Sequence, residues 1–218
     1  MTGRQMKKVY CSGPLFCPEE VAAMDRIAAA LEEAGYTTFL PHRDGVEAFT
    51  LNAVNSRFAN LVIFRPVVRF LSRATFALDI SEVLECDCFV FNMGGVVPDE
   101  GGVVETGVAF ASGKPAVLYK GETSGACDLP LNPVIMGASY SFETVTDVRA
   151  IPAALDDLAE RLCTPGTGVD ASEDLPGFVL EVVDFGRKVR WVLDKIQFMK
   201  PDNMMAPPSD INHSRKGA

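Results

Sequence analysis

The segment Asn92–Gly107, NMGGVVPDEGGVVETG, carries two acids six positions apart, Asp99 and Glu105. Asp99 falls in a glycine-rich turn. Glu105 falls in the first turn or so of a helix predicted over Val103–Ser112 and closed by Gly113. Helix amides and the macrodipole favour an ionised carboxylate at such a place, so Glu105 suits a nucleophile or a stabiliser of positive charge, not a proton donor. The plain alternative is an exposed first-turn acid. The glycine pairs do not decide between the two, since turns of any kind use them. Other chemistries find less support. The chain has neither a G-x-G-x-x-G nor a G-x4-G-K-[ST] phosphate cradle. His42 sits in a polar turn and His213 in the tail, neither in a serine- or cysteine-nucleophile setting. Cys86 and Cys88 have the wrong spacing for a Cys-x2-Cys zinc half-site. The scattered Cys11, Cys17, Cys86, Cys88, Cys127 and Cys163 read as free, mostly buried thiols. Carboxylate chemistry is what remains.

Several elements must position these acids. Residues 7–12 (KKVYCS) read as a buried strand ending at Gly13-Pro14. Pro18-Glu19-Glu20 opens a helix that Gly35 stops, proline suiting the first turn and the acids its positive end. Tyr36–Leu40, Asp87–Phe91 and Pro115–Tyr119 are further strands, Ser139–Val145 a candidate fifth, and Pro152–Leu162 a helix. Short strands alternating with helices predict a doubly wound, flavodoxin-like α/β fold, a parallel sheet of about five strands with helices on both faces. Ligands of such sheets bind beyond the carboxyl ends of the strands, which selects the loops Gly13–Cys17, Pro41–Gly45, Asn92–Gly102 and Lys120–Asn132. Arg65, Arg69 and Arg73 share one face if their segment is helical. A solvated face is favoured over a phosphate-facing row.

The chain divides into an α/β domain over 1–163, a Gly/Thr/Ser/Asp-rich linker over 164–174, a C-terminal helix over 175–199 and a disordered tail over 200–218. Leu175, Phe178, Val182, Phe185, Val189, Val192, Ile196 and Met199 recur at three- and four-residue steps and form a narrow seam. That helix is expected to dock on a partner subunit or on its own domain. The 218 residues are 48% hydrophobic and 22% charged, as in a soluble globular protein. With 20 Lys+Arg against 29 Asp+Glu the net charge is −9, which argues against a nucleic-acid partner. No apolar run reaches the ~18–20 residues that span a bilayer. The expectation is a cytoplasmic enzyme with no membrane association.

Two segments carry a resemblance. Val9-Tyr10-Cys11-Ser12-Gly13-Pro14-Leu15-Phe16 resembles the opening strand and loop of the nucleoside 2-deoxyribosyltransferase family. Asp99-Glu100-Gly101-Gly102-Val103-Val104-Glu105-Thr106-Gly107-Val108-Ala109, then Gly113-Lys114-Pro115, resembles its signature D-x-G-(T/G)-x-x-E-x-G-x-A…G-K-P. The likeness spans about residues 7–145. It implies that Glu105 is the nucleophile that forms a 2-deoxyribosyl ester, and that Asp99 orients the sugar or base. Asp79 matches an acid that exchanges a proton with the base, and Tyr10 a phenol that positions the nucleophile. Gly13, Arg43 and Asp44 fall where substrate is bound, Arg43-Asp44-Gly45 near the base. Asn132 resembles an asparagine that reaches into a neighbouring subunit's site, implying a homo-oligomer of at least two subunits with shared sites. Substrates are deoxynucleosides and free nucleobases, with no metal or organic cofactor. The alternatives are a deoxyribonucleoside 5′-monophosphate N-glycosidase and a non-catalytic nucleoside-binding module. Gly102 departs from a common hydroxyl residue, which is expected to loosen the turn or remove a hydrogen bond. The connection over 49–78 looks longer than usual, a candidate lid or a segment reshaping the base pocket.

Overall fold

The computed structural model describes residues 7–47, 49–50, 64–94, 99–121, 132–139, 141–162 and 176–198. The first strand, β1 (Lys8–Ser12), leads into α1 (Pro18–Glu33), whose opening is set by Pro18 and by Glu20, which accepts the Phe16 and Cys17 amides at 2.8 and 3.3 Å. Next come β2 (Thr37–Phe39), the short α2 (Pro41–Asp44), the long α3 (Arg65–Glu85) and β3 (Cys88–Asn92). They are followed by α4 (Glu100–Ala111), β4 (Ala116–Tyr119), α5 (Pro133–Gly137) and β5 (Thr144–Val145). A 3-10 turn, Val148–Ala150, precedes α6 (Ile151–Leu162), and α7 (Gly177–Phe198) is the last element described.

All strand pairs are parallel, in the order β2-β1-β3-β4-β5. The direction of winding therefore reverses at the β1–β3 boundary, which opens a crevice at the carboxyl ends of those two strands. Alternation along the strands sorts side chains between two layers. Val9, Cys11, Cys88, Val90 and Val117 pack with α1 and α6 on one face. Tyr10, Phe89, Phe91, Ala116 and Leu118 pack with α3 and α4 on the other. Cys11, Cys86 and Cys88 are buried free thiols, and burial pushes Cys86 up to about 11 and Cys88 up to about 12. Cys127 and Cys163 lie outside the described residues. No described helix is long and apolar enough to cross a membrane.

Three expectations need correction. The fifth strand is only Thr144–Val145, because Ser139 and Ser141 are spent on local turn bonds. The connection over 49–78 is helical from Arg65 onward as part of α3, and its residues 51–63 lie outside the described ones. The apolar seam of α7 is covered only in its middle: Phe185 and Val189 pack against the core beside buried Gly186, while Phe178 stays 72% exposed and Ile196 55%. The helix nonetheless docks on α3 of its own chain. Gly186 sets the crossing, since a Cβ there would collide with the Ala77 carbonyl and the Ser81 hydroxyl. Arg187 pairs with Glu85 at 2.5 Å, and Arg190 reaches the Asp44 carbonyl at 3.3 Å. Leu175, Met199, the linker and the tail lie outside the described residues.

This crossing makes a prediction. Gly186→Leu is expected to destabilise the fold by about 1–3 kcal/mol through overpacking, lowering the thermal midpoint. Gly177→Ala, where an added Cβ meets nothing within 4 Å, leaves the midpoint within a degree or two, on the ~0.5 kcal/mol scale of surface changes. Equal midpoints for the two variants would remove Gly186 from the interface.

Candidate active site

Tyr10 and Ser12 are two residues apart on β1, so both point to the α3–α4 side of the sheet. The Tyr10 ring is fully buried and stacks between Phe39 and Phe89, with centroids 5.3 and 5.8 Å away. Such pairs add ~0.5–1.5 kcal/mol each beyond area burial and hold the phenol in one orientation. Its hydroxyl donates to Glu105 Oε1 at 3.0 Å, and the Ser12 hydroxyl donates to Oε2 at 2.5 Å. Both oxygens of one carboxylate are thus held by the first strand.

The helix carrying Glu105 is aimed by its own start. Asp99 is the N-cap of α4 and accepts the Gly102 amide at 2.8 Å. Glu105 is then the sixth helical residue, in the second turn rather than the first, so the dipole is not its main support. Gly102 has a positive role: a Cβ there would overlap the Phe91 ring and lie 2.9 Å from Ser12 Oγ. Its bareness lets α4 settle against β1 and β3, close enough for Glu105 to reach Tyr10 and Ser12. The expected looseness at Gly102 is instead close packing. Gly13 works the same way at the end of β1, where a Cβ would lie 2.7 Å from both Asn92 Cβ and Met24 Sδ.

Asp79 projects from the buried face of α3. Burial pushes its carboxyl well above the usual range, Glu105, Glu47 and Glu82 push the same way, and the Tyr10 hydroxyl opposes them. Glu105 is raised as well, chiefly by burial and secondarily by Asp99, against the pull of its two hydroxyl donors. Tyr10 is raised far above its ordinary value by burial and by Glu105 and Asp79, so it stays a donor. Glu105 holds two direct hydroxyl donors, which offset part of the burial that raises it, while Asp79 is raised well above the usual carboxyl range. The sequence reading of Glu105 as favoured in the ionised form is not borne out: burial raises its pKa, its two hydroxyl donors offset only part of that, and in the second turn the dipole gives it little support.

Ser12 and Glu47 escaped the sequence reading. Period-two alternation from Tyr10 marks Ser12 as sharing its face, a signal present in the strand itself. Nothing local marks Glu47, which follows α2, is raised by burial, Glu105 and Asp99, and itself raises Asp79 and Tyr10 only through the fold. Arg43 and Asp44, expected near the base, hold internal partners. Arg43 bonds Glu32 at 3.0 Å, the Thr38 hydroxyl at 2.9 Å and Asp44, while Asp44 also accepts the Leu40 amide at 3.0 Å. Asn132 is exposed and caps α5 by accepting the Val134 amide at 2.9 Å. The row Arg65, Arg69 and Arg73 lines a cavity of about 650 Å³ with Pro66, Phe70 and Phe185, away from the acids. Among the described residues no three His, Cys, Asp or Glu side chains are placed to hold a metal ion.

A 2-deoxyribosyltransferase structure from Bacillus psychrosaccharolyticus is similar at 18% identity, covering 68% of this chain and 95% of that one, with a TM-score of 0.46. A conserved protein from Enterococcus faecalis is similar at 20% identity, covering 72% and 99%, with a TM-score of 0.46. A CMP N-glycosidase from Clostridium botulinum is similar at 19% identity, covering 70% and 98%, with a TM-score of 0.37. No curated protein sequence matches the chain. The sequence profile of the nucleoside 2-deoxyribosyltransferase family matches residues 9–132, a span that holds Tyr10, Ser12, Glu47, Asp79, Asp99 and Glu105. The chain belongs to the nucleoside 2-deoxyribosyltransferase family.

Proposed function

We propose that this chain exchanges bases between 2′-deoxynucleosides through a covalent 2-deoxyribosyl ester on Glu105. The supporting observation is the Glu105 carboxyl, held at both oxygens by Tyr10 and Ser12 and acting on the buried Asp79, whose pKa burial lifts well above the usual range. An ionised Glu105 oxygen attacks C1′ while the N-glycosidic bond breaks, and the bonding electron pair leaves with the base nitrogen. The proton that neutralises the departing base comes from Asp79. Positive charge on the ring is greatest midway, where the adjacent carboxylate stabilises it most. The incoming base then attacks C1′, gives its N–H proton to Asp79 and releases Glu105, so two inversions yield net retention. Asp99 orients the sugar from the mouth of α4. Exposed Asn132, beside exposed Val134, suits a residue offered to a neighbouring subunit, and we propose a homo-oligomer of at least two chains.

A free 5′-hydroxyl is favoured over a 5′-phosphate. The Gly13–Cys17 loop holds no basic side chain, Arg43 is committed to Glu32 and Asp44, and the arginine row faces a separate cavity. Incubation with deoxyinosine, with and without adenine, and with dAMP tests the reading. Deoxyadenosine forming only when adenine is present is the expected result. Free deoxyribose from deoxyinosine without adenine would replace it by hydrolysis. Base release from dAMP alone would replace it by nucleotide cleavage, and no product at all would leave a binding module. Sedimentation showing a lone chain at working concentration would remove the shared site.

A further inference from the structure

Arg65, Arg69 and Arg73 stand outside the catalytic machinery, and their surroundings are unusual for helix cations. They recur at every fourth residue from the start of α3, so they form a row along about 12 Å of helix axis. Like charges at that spacing repel one another. Elsewhere the chain offsets such cations: Arg161, Lys188 and Arg190 each pair with an acid four residues away on their own helix, at 2.7, 2.6 and 3.1 Å. The row has no such relief, for none of its three arginines makes an ion pair or hydrogen bond among the described residues. The start of α3 points the same way. Its first turn contains no acid, and no side chain caps it. Arg65 holds its first position, where the helix amides already concentrate positive charge. With Pro66, Phe70 and Phe185 the row lines a cavity of about 650 Å³. Phe70 is 58% exposed and meets Phe185 edge-on, with centroids 6.1 Å apart, so an aromatic wall stands open beside the cations.

We propose that this cavity is a second ligand site, one that binds a nucleoside polyphosphate with its phosphates along Arg65, Arg69 and Arg73 and its base against Phe70 and Phe185. A guanidinium pairs with phosphate oxygens through two N–H donors at once, and an anion laid along the row removes the repulsion within it. A line of charge suits an extended chain of phosphates better than a single one. The two phenylalanine rings give a planar base a surface that a bare polyphosphate cannot use. The volume is that of a small-molecule site. The chain carries a net charge of −9, so its surface at large repels anions and the row is a local exception. The cavity shares no lining residue with Tyr10, Ser12, Asp79, Asp99 or Glu105. Its ligand is therefore held and not cleaved, and the proposal stands independently of the base-exchange reading. Because Phe185 belongs to α7, an occupied site ties that helix to the start of α3.

The test reads binding of ATP, inorganic tripolyphosphate and adenosine by calorimetry in the full-length protein at low salt, so it needs no turnover. The wild type is expected to bind ATP about tenfold or more tightly than either of the other two, and to lose affinity as salt is raised. Arg69→Ala and Arg73→Ala are each expected to weaken ATP about tenfold or more, as loss of a charge-assisted pair does. Alanine suits an exposed helix position, so both variants should keep the fold. Phe70→Ala is expected to bring ATP down to the level of tripolyphosphate. Arg149→Ala, which removes an exposed cation far along the chain, leaves ATP binding unchanged. No ATP binding by the wild type, binding untouched in both Arg69→Ala and Arg73→Ala, or equal affinity for ATP and tripolyphosphate overturns the proposal. Base exchange from deoxyinosine is expected to stay unchanged in Arg69→Ala; its loss would put the row in the active site and remove the second site. Arg69-dependent ATP binding in a protein that performs no exchange would instead overturn the transferase reading and leave this site standing.

Discussion

Glu105→Ala is expected to lower base exchange by about 10^4-fold or more, the scale on which removal of a covalent nucleophile acts. The variant removes both the attacking oxygen and the charge that meets the cationic ring, so no other side chain inherits the step. Tyr10 and Ser12 would remain in place with no carboxylate to hold. Quenching the wild type with substrate is expected to leave one dehydrated 2-deoxyribosyl unit on the peptide carrying Glu105, and the variant none. The more conservative Glu105→Gln separates chemistry from folding. Burial raises the folded-state pKa of Glu105 above its ordinary 4.5, so the folded protein holds that proton more tightly than the unfolded chain. The associated stability is fully present below about 4.5 and is lost as pH rises through the folded value. Glu105→Gln should therefore fall less in thermal midpoint than the wild type as pH is raised from 5 to 8. Normal exchange in Glu105→Ala would end the covalent mechanism, whatever the midpoints show.

Asp79→Asn is expected to cost about 10²–10³-fold in single-turnover cleavage, the range for a positioned general acid. Asparagine keeps the size of the side chain on the buried face of α3 but has no proton to give. The loss should depend on the departing group. Deoxyinosine, whose base needs protonation, suffers fully, whereas a 2-deoxyriboside with a weakly basic phenolate leaving group is cleaved at close to the wild-type rate. An acid must be protonated to act, and burial with Glu105 and Glu47 nearby raises Asp79, so wild-type cleavage falls only as pH climbs through that raised value. The variant should lack this falling limb in single-turnover rates. Equal losses for both leaving groups would make Asp79 a positioning residue.

Much of this was readable from the chain because the signals were local. Pro18 with Glu19 and Glu20 opens α1 where expected, and the Cys88–Asn92 and Ala116–Tyr119 strands fall within a residue of their apolar runs. Glu105 and Asp99 were found through a motif held within one turn-and-helix unit. What was missed is long-range. Glu47 joins the site only when the turn after α2 is fastened to α3 by Thr50 and Thr75. Arg43 and Asp44 satisfy each other, so residue type near the base position did not reveal that they were already engaged. The seam of α7 did mark the face that docks, through Phe185 and Val189, but its closest contact is made by Gly186, a residue that hydrophobic spacing cannot weigh.

Arg190 of α7 lies 5.5 Å from the centre of the Phe39 ring, and Phe39 is one of the two rings that clamp Tyr10. The family match ends at residue 132, so the outermost link of this aromatic stack comes from sequence the family does not require. Anyone trimming the protein to a minimal biocatalyst would strip a wall from the phenol along with the helix. A shortened design must therefore supply its own lid for Phe39 and a new apolar cover for Ala77 and Ser81. The C-terminal segment is thus better treated as part of the catalyst's frame than as a removable tag.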